Sequence, residues 1–186
     1  TKYKGEEIIK KYSKKFNFNY GILRYFNVAG ASQSGKIGEI EKSHGHLIKN
    51  LAIQSTRSKP KIYIYGNDYK TKDGTCIRDY IHVSDLSEIH FKSLQYLCSK
   101  RKSFTLNCGY GKGYSVKEVL NEMNFVSGKK IKILQGKRRL GDPECLISNT
   151  NKLKKVINWN PKFNKLKDIL KSSLKWEKKL KSEKIL

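Results

Sequence analysis

Two arginines in separate loops are the residues of this chain best suited to bind an anion. Arg78 lies in "GTCIRDY" (residues 74–80) and Arg139 in "RRLGDPE" (residues 138–144). A third loop, "RYFNVAGA" (residues 24–31), is rich in small residues and offers Asn27 as a neutral donor. Guanidinium groups bind phosphate oxygens in pairs, and small residues let backbone N–H groups approach the same anion. Taken alone, each arginine is more readily explained by a surface salt bridge, but together the loops predict a diphosphate site.

The acidic stretch that follows Arg78, "DYIHVSDL" (residues 79–86), is better explained by structure than by chemistry. Asp79 and His82 can hold a strand to the helix that follows it. Ser84 and Asp85 are well placed to cap that helix, because short polar side chains accept from the free N–H groups of a first turn.

Cysteine and histidine spacing indicates neither a metal site nor disulfides. The four cysteines are scattered, without a C-x-x-C pair. His44 and His46 share a loop, but no third ligand lies near them in the sequence. Metal sites in proteins need three or four such ligands at characteristic spacings. We therefore expect reduced thiols, as in a cytoplasmic protein, and no bound metal.

Lysine is spread along the whole chain of 186 residues, which has a formal net charge of +24. Such a charge would suit a nucleic-acid binder. However, the lysines form no block or stripe, and few lie between aromatic residues that could stack on bases. No apolar run approaches the ~20 residues that a membrane helix needs. We expect a cytoplasmic protein with neither nucleic-acid nor membrane partners.

Hydrophobic periodicity predicts a mixed α/β chain in which short strands alternate with longer helices. A capping box, Ser115 with Glu118, marks the start of one helix. The predicted strands cover residues 20–26, 61–66, 79–83, 104–109 and 130–134. The predicted helices cover residues 3–16, 46–57, about 85 onward, 114–126, 150–159 and about 165–180. The stretch 27–45 is predicted to be a long loop.

Four segments of the chain resemble, in order and spacing, the UDP-glucose 4-epimerases of the extended short-chain dehydrogenase/reductase family. They are "LRYFNVAGA" (23–31), "IYGNDYKTKDGTCIRDYIHVSDL" (64–86), "LNCGYGKGYSVKEVL" (106–120) and "RRLGDPECLI" (138–147). The resemblance covers essentially the whole chain. It implies an α/β fold in which residues 1–30 end the NAD-binding Rossmann domain and residues 31–186 form a mixed α/β UDP-sugar-binding domain.

The resemblance also implies an activity, the interconversion of UDP-glucose and UDP-galactose by transient NAD-dependent oxidation at C4. In this family a Y-x-x-x-K tyrosine accepts the hydroxyl proton, and the lysine holds the nicotinamide ribose and lowers the pKa of the tyrosine. Lys2 matches that lysine, so the tyrosine would precede the first residue. The glycine-rich phosphate turn is also absent from the sequence. The chain is therefore expected to be an inactive fragment of a longer enzyme, which the resemblance implies to be a homodimer.

The resemblance assigns further roles residue by residue. Phe26 would contact the nicotinamide side of NAD, and Asp142 would accept from a ribose hydroxyl. Arg78 and Arg139 would bind the diphosphate, and the strand edge at residues 63–65 would meet uracil. The complete substrate-binding set is Asn27, His46, Leu47, Tyr63, Ile64, Tyr65, Arg78, Arg139, Leu140, Gly141, Asp142 and Leu146.

The sequence alone leaves open which sugar the substrate carries, and it leaves open two functions without catalysis. Leu146 matches a position that borders the sugar C2 substituent, and leucine is shorter than the aromatic residue of some members. The substrate could therefore be UDP-GlcNAc/GalNAc, or a UDP-pentose. The chain could also be a non-catalytic UDP-sugar-binding module, or a basic nucleic-acid-binding module whose affinity would fall steeply with salt.

Overall fold

Eight strands and six helices alternate along residues 1–40 and 46–183, the parts of the chain that the computed structural model describes. The α/β class is therefore confirmed. Within these residues no helix is long and apolar enough to cross a membrane. The helices are α1 (Lys2–Phe16), α2 (Leu47–Ser55), α3 (Val83–Lys100), α4 (Val116–Ser127), α5 (Asn151–Val156) and α6 (Leu166–Ser182). The strands are β1 (Gly21–Tyr25), β2 (Asn27–Ala29), β3 (Lys61–Tyr65), β4 (Ile77–His82), β5 (Phe104–Cys108), β6 (Gly113–Ser115), β7 (Lys132–Gly136) and β8 (Cys145–Leu146).

Parallel pairing dominates the sheets. β1 pairs with β5, β2 with β4, and β3 with β7, all in parallel. Parallel neighbours need a long crossover between them, usually a helix. Helix α2 lies in the connection from β2 to β4, and α3 and α4 lie in the longer connection from β3 to β7. The domain division at residue 30 stays a prediction, although β1 on one side of it pairs with β5 on the other.

Strand β4 is the centre of the largest sheet. Its second half, from Tyr80 to His82, lies beside β2. Its first half, from Ile77 to Asp79, pairs antiparallel with β6, and Ile77 and Arg78 also pair with β8. Arg78 therefore has a strand on each side, which fixes its backbone and leaves only 9% of the residue exposed.

Two apolar clusters form the main core. The larger joins α2, α4 and α6, with the residues Leu51, Leu120, Met123, Ile169 and Leu170 among its members. The second packs α3 and α5 against β5, with Ile89, Leu106, Leu153 and Trp159 buried in it. Leu166, Leu170 and Leu174, spaced four apart along α6, are all buried and form its apolar face.

The predicted capping of α3 by Ser84 and Asp85 is wrong. The helix begins at Val83, and the His82 Nδ1 atom caps it by accepting from the Ser84 N–H at 3.0 Å. The Asp85 carboxylate is fully buried instead. It accepts from the backbone N–H groups of Lys162 at 3.0 Å and Phe163 at 2.9 Å. These two residues are far from Asp85 in the sequence. Asp85 thus joins α3 to the chain before α6.

Asp79 also departs from the prediction, while His82 agrees with it. The His82 side chain does connect β4 to α3. Asp79 accepts from the N–H groups of Tyr110 at 3.1 Å and Gly111 at 2.9 Å, and from the Ser148 N–H at 3.2 Å. Its carboxylate faces the β5–β6 connection rather than α3, because it lies on the part of β4 that pairs with β6.

Candidate functional site

An open cavity of about 250 Å³ lies between α2, β3, β4 and the turn that follows β7. Six separate segments of the chain line it. Eight of the residues predicted for substrate binding are among its lining residues, namely Asn27, Leu47, Tyr63, Ile64, Tyr65, Arg78, Arg139 and Asp142. The two arginines that are 61 positions apart in the sequence (139 minus 78) thus share one cavity.

Two acceptors orient the guanidinium of Arg78. Its Nη1 donates to the carbonyl oxygen of Ile77 at 2.7 Å. Its Nη2 forms an ion pair with the carboxylate of Asp142. A guanidinium has five N–H donors, so these contacts leave others free for a ligand. The side chain is therefore held in place at the cavity wall without using all of its binding capacity.

A tight turn brings Arg139 and Asp142 to the cavity. The Asp142 N–H donates to the Arg139 carbonyl oxygen at 3.4 Å, and Gly141 has a φ of +74°, which glycine adopts without strain. The Arg139 guanidinium carbon lies 4.3 Å from the centroid of the Tyr65 ring, a cation–π contact. Leu140 is fully exposed at the tip of this turn, and neither it nor Gly141 is among the residues that line the cavity.

The edge of β3 forms one wall of the cavity. Four consecutive residues, 62–65, line it, which places the strand's backbone as well as its side chains against the open space. In the part of the chain that the structure describes, β3 pairs only with β7. The rings of Tyr63 and Tyr65 lie 6.3 Å apart on one face. A free strand edge beside aromatic rings can hydrogen-bond and stack a flat heterocycle.

Five residues that the sequence analysis did not select also line this cavity: Asn50, Ile62, Cys76, Tyr80 and Val116. Cys76 and Tyr80 flank Arg78 at two-residue spacing, so strand alternation could have indicated them. Burial raises the pKa of the Cys76 thiol and that of the Tyr80 hydroxyl. Both groups are therefore neutral at pH 7. The charged residues at the wall are the two arginines and Asp142, which favours an anion.

Comparison with known proteins identifies the family of this chain. Residues 1–109 match the NAD dependent epimerase/dehydratase family. The chain belongs to this family. The UDP-glucose 4-epimerase of Azospirillum brasilense is 43% identical over 159 residues, which is 86% of this chain and 46% of that protein. The chain thus spans about half the length of the curated relatives it matches, and it covers from 42% to 54% of each of them.

Solved structures of epimerases have the same fold as this family member. A UDP-glucose-4-epimerase from Stenotrophomonas maltophila, with bound NAD and formylated UDP-arabinopyranose, superimposes with a TM-score of 0.90. The two share 30% identity over 96% of this chain and 53% of that one. The UDP-Glc/GlcNAc 4-epimerase of Campylobacter jejuni is 44% identical, with a TM-score of 0.75 over 94% of this chain and 53% of that one.

The remaining predicted residues of this epimerase-family chain lie outside the cavity. Lys2 is exposed on the first turn of α1. Phe26 is half-buried between β1 and β2, and its N–H donates to the Cys108 carbonyl oxygen at 3.2 Å. Leu146 is 47% exposed and lies opposite Arg78 in the β4–β8 pair. Their predicted roles stay predictions.

His46 belongs to a second open cavity, of about 680 Å³, which lies where β2 and β4 end. Gly30 and Ser84 also line it. Ligands of parallel α/β sheets bind outside the carboxyl ends of strands, which is where this cavity lies. A small void between the two cavities is lined by Asn27 and Leu47 from the first and by Gly30 and His46 from the second. The two cavities are therefore neighbours.

No group of three residues that could hold a metal ion occurs in ranges 1–40 and 46–183. His44, which was considered with His46 as a possible ligand, lies outside the described residues. The candidate site of this family member is thus built from arginine, aromatic and backbone groups.

Proposed function

We propose that this chain forms the UDP-sugar-binding part of an NAD-dependent 4-epimerase that interconverts UDP-glucose and UDP-galactose. The observation that carries the proposal is the shared cavity of Arg78 and Arg139 beside the open edge of β3. Two guanidinium groups suit a diphosphate, and a strand edge with stacked tyrosines suits a uracil. The relatives named UDP-glucose 4-epimerase support the same assignment.

In the proposed complex the cavity binds the nucleotide along its length. Uracil lies against the backbone of residues 63–65, where it hydrogen-bonds as another strand would. Asp142 accepts from a ribose hydroxyl while it keeps Arg78 oriented, because a carboxylate has about four acceptor positions. Arg78 and Arg139 then bind the diphosphate, and each charge-assisted hydrogen bond contributes roughly 1.5–3 kcal/mol. The hexose points from the diphosphate towards Asn27 and the second cavity.

The residues of this chain fit the edge of an NAD site. Lys2 and Phe26 would meet the nicotinamide end, at the carboxyl side of the parallel strands. Bound NAD would supply hydride transfer at C4 of the sugar. Ile8, Tyr12 and Phe16 are exposed on α1. Such an apolar stripe supports a further domain packing there, which would hold the rest of the cofactor. A cytoplasmic location and a homodimer are parts of the same proposal.

Calorimetric titration of the purified chain with UDP, UMP and ADP tests the binding role. We expect UDP to bind at least about tenfold more tightly than UMP, because UMP lacks one phosphate for the two arginines. ADP should bind more weakly than UDP, since its larger base must fit the same strand edge. Equal affinity for UDP and ADP, or no binding of UDP, would overturn the proposal.

Turnover is the second measurement. We expect the 186-residue chain alone to convert no UDP-galactose to UDP-glucose, because the tyrosine and the phosphate turn implied by the resemblance are not in its sequence. Detectable turnover by the purified chain would contradict the expected need for the tyrosine and the phosphate turn, while leaving the nucleotide site in place.

A further inference from the structure

A lysine-rich cavity of about 430 Å³ lies on the other side of α6, between that helix and the turn formed by residues 32–35. Four lysines and a single carboxylate line it, namely Lys162, Lys171, Lys175, Lys179 and Asp168. This space shares no lining residue with the cavity of Arg78 and Arg139, which we call the nucleotide cavity. We call this space the basic cavity.

The sequence of α6 places three of these lysines on one face. Residues 171, 175 and 179 are spaced four apart, so their side chains follow one another along the helix. Like charges at this spacing repel each other and destabilise a helix. A bound anion would remove this repulsion.

Two ammonium groups converge on the turn opposite α6. The Lys179 Nζ donates to the Gly35 carbonyl oxygen at 2.9 Å. The Lys175 Nζ lies 3.9 Å from the position that a Cβ on Gly35 would occupy. Gly35 has a φ of +65°, which glycine adopts without strain, and its carbonyl oxygen faces the helix. The turn and the helix therefore hold two positive charges at one end of the cavity.

The ammonium groups differ in how far they are already neutralised. Lys162 pairs with Glu88 at 3.1 Å, and Lys179 lies 3.9 Å from Glu183. The side chains of Lys171 and Lys175 have no ion pair or hydrogen bond with any residue in ranges 1–40 and 46–183. Both are exposed at the mouth of the cavity, where a ligand could reach them.

The floor of the basic cavity is apolar. Ala31 and Trp176 are buried there in a small cluster with Leu180, and Phe163 lies beside them. An apolar floor lowers the local dielectric constant, which strengthens attraction between an anion and the lysines above it. Ser32 and Gln33 at the rim offer neutral donors.

We propose that the basic cavity binds a small multivalent anion of the phosphate class, such as an inorganic polyphosphate, independently of the nucleotide cavity. The turn lies on one side of this open cavity and α6 on the other, which suits a short anion better than the backbone of a duplex. Lys171 and Lys175 bind the ligand directly, and Lys179 holds the turn in position.

The test is calorimetric titration of the purified chain with inorganic tripolyphosphate, at about 50 and about 200 mM salt. The variant Lys171→Gln with Lys175→Gln removes two charges from the basic cavity. The matched control, Lys152→Gln with Lys155→Gln, removes two exposed charges from α5. We expect affinity to fall at least about tenfold in the first variant and less than about twofold in the control. Circular dichroism verifies that both variants fold.

Three outcomes would overturn the proposal. Equal losses in both double variants would mean that the whole basic surface attracts the anion. Loss of tripolyphosphate binding in Arg78→Lys, with none in Lys171→Gln with Lys175→Gln, would place the anion in the nucleotide cavity. Tighter binding of a short DNA duplex than of tripolyphosphate, with the same dependence on Lys171 and Lys175, would indicate a nucleic-acid surface. Failure of UDP to bind would instead refute only the proposed function.

Discussion

The guanidinium of Arg78 and the carboxylate of Asp142 form an ion pair that joins β4 to the turn after β7. Because Arg78 also donates to the Ile77 carbonyl oxygen at 2.7 Å, its side chain is oriented before a nucleotide arrives. Preorganisation of this kind lowers the conformational entropy that binding must otherwise remove. The pair therefore links the strand that carries Arg78 to the turn that carries Arg139.

We predict that Arg78→Lys weakens UDP binding by about ten- to a hundredfold, as expected for the loss of a charge-assisted hydrogen bond worth roughly 1.5–3 kcal/mol. Lysine keeps the charge but cannot contact Ile77, Asp142 and a phosphate at once. Calorimetric titration measures the change. Arg57→Lys is the matched control, because Arg57 is exposed and outside the cavity. A change below about twofold in Arg78→Lys would contradict a phosphate role for Arg78.

The second prediction concerns the sugar. Leu146 lies opposite Arg78 in the β4–β8 pair and is 47% exposed, so a larger side chain there can extend towards a ligand bound to Arg78. We expect Leu146→Tyr to reduce the affinity for UDP-GlcNAc at least about fivefold relative to UDP-glucose, because the ring would occupy space needed by the N-acetyl group. Competition titrations with both ligands measure the ratio.

Leu140→Tyr provides the control for this substitution, since Leu140 undergoes the same chemical change on a fully exposed turn. Its ratio of affinities should equal that of the native chain. If the native chain and Leu146→Tyr reject UDP-GlcNAc equally, Leu146 does not border the C2 substituent.

Local patterns were sufficient to predict the long elements. The capping box of Ser115 and Glu118 is present, with both of its hydrogen bonds, and α4 begins after it as predicted. The alternating residues 61–66 contain β3, and the regularly spaced apolar residues of the last helix form its buried face. In each case neighbouring residues alone determine the structure, because capping and side-chain period act within one or two turns.

Long-range contacts explain what the sequence did not predict. Asp79 and Asp85 bind backbone groups of residues 110–111, 148 and 162–163, and no local rule indicates partners so far away. Strands β2, β6 and β8 have only two or three residues, which is too short for a recognisable alternation. For the candidate site, the motif residues were found from the resemblance. Asn50 and Val116 were missed because they lie on helices whose orientation only the fold determines.

The third prediction concerns the buried ion pair of Lys49 and Glu177, whose Nζ and Oε1 atoms lie 2.5 Å apart. Lys49 also donates to the Glu39 carbonyl oxygen at 2.5 Å, as does the Trp176 indole at 2.8 Å. Burial raises the pKa of Glu177, and the contact with Lys49 opposes that rise. Lys49→Met would leave a buried carboxylate without its partner, which costs about 3–5 kcal/mol of unfolding free energy.

Urea denaturation measures this loss. In the double variant Lys49→Met with Glu177→Leu no unpaired charge remains, and replacing a buried ion pair by apolar residues is often neutral or stabilising. We therefore expect the double variant to recover most of the lost stability. A double variant as unstable as Lys49→Met alone would show that the link to Glu39, rather than the charge on Glu177, determines the effect.

The last prediction concerns pH and His82. Its Nδ1 accepts from the Ser84 N–H at 3.0 Å, so in the neutral ring the Nε2 atom carries the proton, 3.0 Å from the Ser172 hydroxyl. Burial lowers the pKa of His82 from its ordinary value of 6.5, although Asp85 and Asp168 oppose the shift. Protonation of Nδ1 would remove the cap of α3. Below pH 6.5 the unfolded chain takes up a proton that folded His82 resists, so acidification favours unfolding.

We therefore expect the free energy of unfolding to fall as the pH decreases below 6.5, by at most ~1.4 kcal/mol per pH unit from this residue. His82→Asn keeps a side chain that can cap the helix but does not titrate, so its stability should depend less on pH. Urea unfolding of both proteins at several pH values from about 5 to about 8 measures how the stability of each depends on pH. Both proteins contain Glu177, so its opposing contribution cancels when one profile is subtracted from the other. Parallel pH profiles for the two proteins would show that His82 does not couple protonation to folding.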